Sequence, residues 1–71
     1  MKFTEKFMRH RRTYLPAADF VTQMSKKYHV KRFWIWEILE DYFNMLKGHG
    51  WIMTIDERIK AEDIILRLME N

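Results

Sequence analysis

Between Phe33 and Leu46 the only polar residues are Glu37, Glu40, Asp41 and Asn44. No other feature constrains the fold of this chain as tightly. Ile35, Ile38, Leu39, Tyr42 and Leu46 recur at helical spacing and predict a core stripe. Trp34, Trp36, Phe43 and Met45 fill most of the remaining circumference, and the four polar residues make a narrow outer stripe. A helix so apolar all round belongs at the centre of a fold or in an interface. The pattern predicts this helix from about Lys31 to Lys47. Lys47 would sit against the negative end of the helix dipole, and Gly48 would supply the left-handed cap.

Three further helical segments are readable. One covers about Thr4 to Thr13, with Thr4 as N-cap and Phe3 and Phe7 one turn apart; Pro16 bars its continuation. A second covers about Ala17 to Tyr28, where Phe20, Val21, Met24 and Tyr28 form one stripe. The last opens on Thr54-Ile55-Asp56-Glu57, a capping box in which Thr54 and Glu57 satisfy each other's backbone amides. It runs to about Met69, with Ala61, Ile64, Ile65 and Leu68 facing inward. Gly48-His49-Gly50 reads as a turn, and Trp51-Ile52-Met53 as a short apolar connector that can run extended. The expected architecture is all-α: a small bundle of about four helices in a single domain spanning residues 1–71.

A chain of 71 residues buries a limited core. It contains no cysteine, which removes disulfides and thiolate metal sites as supplements. Three Trp, five Phe, three Tyr and six Met supply large buried areas instead. Homodimerisation is the other route to enough burial. No apolar run approaches the roughly 18–20 residues of a membrane span, and Met1 to Lys6 lacks the apolar stretch of a secretory signal. The expected location is the cytoplasm, with no membrane partner.

The net charge of +3 conceals an asymmetry. Residues 1–32 hold nine Lys/Arg against two acidic residues, a net of +7. Residues 33–71 hold four basic residues against eight acidic ones, a net of −4. A basic half of this size suits nucleic acid, an acidic protein surface, or the protein's own acidic half.

The stretch from Met24 to Leu39, Met-Ser-Lys-Lys-Tyr-His-Val-Lys-Arg-Phe-Trp-Ile-Trp-Glu-Ile-Leu, carries the most specific pattern. A small residue, Ser25, stands where two helices would cross. Apolar Tyr28 and Val30 flank a turn at His29, and Ile35 and Ile38 hold two inner positions of the second helix. In these residues the stretch resembles the helix-turn-helix of DNA-binding proteins, over about 20 of the 71 residues. It departs from that family at His29, where the turn usually carries Gly. The resemblance implies a reading surface at Lys31, Arg32, Phe33, Trp36 and Glu37. Lys31 and Arg32 suit phosphate and base-edge contacts, whereas Phe33 and Trp36 carry no hydrogen-bond code.

Two readings follow. In one, the chain is a small DNA-binding transcriptional regulator, natural as a homodimer on a two-fold site. Lys31 and Arg32 would start the reading helix, and Lys26, Lys27, Arg9, Arg11 and Arg12 would hold phosphates. In the other, it is a small inhibitor or adaptor of the phage or mobile-element kind. Exposed Phe33 and Trp36, with Trp51, would anchor a host or other partner protein. Catalysis is not expected. Ser25 is the only serine and has no visible base, and no Gly-rich phosphate loop precedes a helix. His10, His29 and His49 lack ligand spacing, so neither a metal site nor a cofactor is expected.

Overall fold

Pro16 sets where the first described helix begins. Its fixed φ and missing N–H suit the position before a helix, and it takes φ −57° and ψ 138° as the N-cap of α1 (Ala17–Tyr28). The computed structural model describes residues 14–70. Their order is β1 (Tyr14–Pro16), α1, α2 (Arg32–Phe43), β2 (Ile52–Thr54) and α3 (Ile55–Glu70). The helix expected over residues 4–13 lies outside the described residues.

The described part is mostly helical, with one small sheet that the all-α expectation did not contain. β1 and β2 pair antiparallel, with Tyr14 opposite Thr54, Leu15 opposite Met53 and Pro16 opposite Ile52. Leu15 and Met53 face the core while Tyr14, Pro16 and Ile52 face out, the two-residue alternation of a half-buried ribbon. The ladder gains one more bond where Ala17 N–H donates to the Trp51 carbonyl at 2.8 Å. That bond ties the first residue of α1 to the connector before β2.

α1 has the bounds its apolar stripe predicts, and Phe20, Val21 and Met24 are buried. α2 ends earlier than expected. Asn44, at φ 58°, takes the left-handed cap assigned above to Gly48, and its N–H donates to the Glu40 carbonyl. Asn tolerates this region better than most side chains. The early stop drops Met45 into the core at 4% exposure, with its N–H on the Leu39 carbonyl. Tyr42 and Leu46, which the expected stripe turned inward, are exposed. Ile35, Ile38 and Leu39 are buried as predicted.

α3 opens on the predicted capping box. Thr54 N–H donates to Glu57 Oε1 at 2.8 Å, and Glu57 N–H to Thr54 Oγ1 at 3.2 Å. Ala61 and Ile65 are fully buried and Ile64 packs beside them. Leu68 was expected to face inward but is exposed, because the contact with the core runs out before the helix does. Among the described residues no polar or charged residue is buried as a whole, so the fully buried core is apolar.

Candidate nucleic-acid interface

The candidate site is built around the junction of α1 and α2. α1 ends at His29, which takes the left-handed conformation at φ 58° and ψ 45°. His29 N–H and Val30 N–H both donate to the Ser25 carbonyl, the latter at 3.2 Å. The bond from Val30 is the six-to-one link of a Schellman ending. The Ser25 hydroxyl donates in turn to the Val30 carbonyl at 2.6 Å. Ser25 thus closes the turn from both sides, accepting with its carbonyl and donating with its hydroxyl. Tyr28 and Val30 pack against the core on either side of His29, so the turn is fixed by burial as well as by hydrogen bonds.

α2 then starts with an unusual end. Lys31 is its N-cap, in extended geometry and with no side-chain cap bond, and the first turn holds no acidic residue. Helix N-termini are stabilised by capping oxygens and by negative charge. Here the opposite is found: Lys31 and Arg32 both stand there, exposed. Phe33 follows at 71% exposure. Trp36, one turn on, is half-buried and packs against the core, while Glu37 is exposed. The two aromatics flagged for a protein contact are therefore unequal. Phe33 is free surface, and Trp36 has one face committed to the fold. Trp51, the third, is 42% exposed beside β2.

The remaining cations divide. Lys26 is exposed near the end of α1. Lys27 is paired with Glu62 of α3 at 2.7 Å, and its ammonium lies 5.4 Å from the centroid of the Tyr28 ring. The Tyr28 hydroxyl donates to the same Glu62 oxygen. The Lys27 hydrogen bond, then that of Tyr28, hold the Glu62 carboxyl below its ordinary range. The hydrogen bond to Glu62 holds both Lys27 and Tyr28 above theirs. Lys27 is thus occupied in joining α1 to α3. Arg9, Arg11 and Arg12 lie outside the described residues.

Glu62 was not singled out in the sequence, and it stands 35 residues from Lys27. Lys47 was read only as a cap for the dipole. It lies instead in the loop after α2, on a cleft shared with Arg32 and Trp36. Among the described residues no group of three or more His, Asp or Glu side chains is placed to hold a metal ion. No described helix is long and apolar enough to cross a membrane. The chain matches no family model, no curated protein and no solved structure.

Proposed function

We propose that this chain is a small helix-turn-helix DNA-binding protein acting as a transcriptional regulator in the cytoplasm, with α1 and α2 as the motif and α2 as the reading helix. One observation carries the reading. The first turn of α2 is exposed, lacks a side-chain cap and an acidic residue, and presents Lys31 and Arg32. Cations at the positive end of a helix dipole oppose stability. A local rule broken in this way marks a site kept for something other than folding. The dipole and two cations together suit an anion, and DNA offers phosphates and guanine acceptor edges in a major groove wide enough to admit a helix. The rigid turn supports the same reading, because it fixes the angle at which α2 leaves α1.

Phe33 fits this function without a hydrogen bond. An exposed phenyl ring in the first turn can pack on a thymine methyl in the major groove. Glu37, one turn further, can accept from a cytosine amino group. A homodimer on a two-fold site would raise the modest affinity of one module.

The test is an anisotropy titration with duplex DNA over a salt series. Binding that weakens steeply with salt supports the proposal. No binding even near 50 mM salt, where phosphate contacts are strongest, rejects it.

The second reading, a protein-binding inhibitor or adaptor, draws on the 71% exposure of Phe33, since aromatic anchors dominate protein interfaces. It is preferred if Phe33→Ala abolishes binding to a protein partner while duplex DNA binds neither form.

A further inference from the structure

A cleft of about 470 Å³ opens between the first half of α1, the Arg32 face of α2 and the loop that follows α2. α1 contributes Ala18 and Thr22, α2 contributes Arg32 and Trp36, and the loop contributes Lys47 and Gly48. Each part has a definite chemical role. Ala18 is small, which keeps the α1 wall low. Trp36 packs against the core with its buried part and offers the cleft a fixed aromatic wall. The Thr22 hydroxyl already donates to the Ala18 carbonyl at 3.1 Å, so it has no proton left for a ligand. The cationic donors of the cleft are Arg32 and Lys47.

These two cations come from positions far apart in sequence and reach one opening. Lys27 pairs with Glu62 and Arg67 with Asp63, and neither cleft cation takes part in a described pair. Asp19 follows Ala18 in sequence and Glu40 lies one turn beyond Trp36, and neither lines the cleft. Two like charges facing one opening repel, and a bound anion removes that repulsion.

The loop presents Lys47 in a defined way. His49 N–H donates to the Leu46 carbonyl at 3.3 Å, closing a turn with Lys47 at one corner. Gly48 at the next corner has φ +85°, a conformation open to glycine at little cost. A Cβ on Gly48 would meet nothing within 4 Å, so the backbone and not crowding calls for glycine there. The far end of the loop is held by the Ala17–Trp51 bond.

We propose that this cleft holds a backbone phosphate of the DNA strand flanking the groove that α2 enters. Arg32 and Lys47 bind the phosphate oxygens, and the adjoining deoxyribose packs on Trp36. The proposal rests on the DNA-binding reading and extends it to Lys47, which lies outside the helix-turn-helix stretch. Its signature is a phosphate contact, which adds affinity on every sequence and a fixed salt dependence.

The experiment is anisotropy titration of a random-sequence duplex of roughly 20 base pairs over a salt series. It compares the parent protein, Lys47→Ala, Lys47→Arg and Lys60→Ala, each checked for folding by far-UV circular dichroism. Lys60 is an exposed cation of α3 outside the cleft. Lys47→Ala should flatten the slope of log affinity against log salt by about 0.9, the value of one duplex phosphate. Lys47→Arg and Lys60→Ala should keep the parent slope. A parent that binds DNA while Lys47→Ala keeps the full slope overturns the cleft and leaves the DNA reading standing. A parent that binds no duplex overturns both. A second readout uses Trp34→Phe with Trp51→Phe, leaving Trp36 as the sole tryptophan. Its emission should change on adding duplex. A change with inorganic phosphate and none with duplex makes the cleft a small-anion site and overturns the proposal.

Discussion

Ser25 and Val30 hold each other across the turn between α1 and α2. The serine hydroxyl donates to the valine carbonyl at 2.6 Å, and the valine N–H returns to the serine carbonyl at 3.2 Å. Ser25→Ala removes the first bond and leaves the Val30 carbonyl without it. The expected loss is about 1 kcal/mol, read as a drop in Tm of roughly 4–8 °C for a domain of this size. An unchanged Tm would mean that the hydroxyl contributes nothing to the turn.

His29 stands in the left-handed region at φ 58°, where a Cβ is costly and glycine is not. His29→Gly should therefore stabilise the protein, by about 0.5–1 kcal/mol in urea unfolding. His29→Val, branched at Cβ, should destabilise it. If glycine destabilises instead, the imidazole makes a contribution that the turn geometry does not contain.

Lys31 occupies a position at which a short acceptor would cap α2. Lys31→Asp should raise stability by about 0.5–2 kcal/mol and at the same time weaken DNA binding. Opposite signs in thermal melts and in anisotropy would reveal a stability–function trade at one residue. Gains in both would place Lys31 outside the interface.

Phe33 and Trp36 should separate. Phe33→Ala is expected to alter stability by no more than about 0.5 kcal/mol, as an exposed position allows. Trp36→Ala should cost more, because part of the ring packs on the core. If Phe33 reads thymine, replacing thymine by uracil in the bound site weakens the parent protein and leaves Phe33→Ala unaffected.

The Lys27–Tyr28–Glu62 cluster predicts a pH profile. Glu62 is held below its ordinary value of 4.5, so its contribution is full above that value and is lost as pH falls through the lowered one. Tyr28 and Lys27 are raised above 10.0 and 10.5, so their contributions are full below those values and are lost as pH rises through the raised ones. The contribution of this cluster should be flat between and fall at both ends. Glu62→Gln should remove this cluster's share of the acid fall, measured by thermal melts from pH 3 to 7. An identical acid limb in the variant would show that the cluster is not responsible.

What was legible in the sequence was local. Pro16 marked the break ahead of α1, and the Thr54–Glu57 box marked the start of α3, because both signals act through neighbouring backbone groups. Ser25, Tyr28, Val30, Ile35 and Ile38 marked the turn and its packing for the same reason. The end of α2 was less accessible. Asn44 and Gly48 can both take a left-handed cap, and the choice depends on burial of Met45, a tertiary matter. Tyr14-Leu15-Pro16 is too short to display a period, and its strand exists only through a partner near residue 53. The cleft and the Lys27–Glu62 pair join residues that only the finished fold brings together.

The ribbon has one more consequence, for the order in which the molecule assembles. Tyr14 and Thr54 are partners although the whole α1–α2 unit lies between them, whereas Ser25 and Val30 are only five positions apart. Loop-closure entropy disfavours the distant pairing relative to the near one. The turn can nucleate early, while the three-pair seam closes only once the two helices have packed. The same seam is the natural first point of opening in the native state. Its release frees the loop that carries Lys47 while α2 stays docked on α1, so hydrogen exchange should reach the Ala17 amide sooner than the amides in the middle of α2.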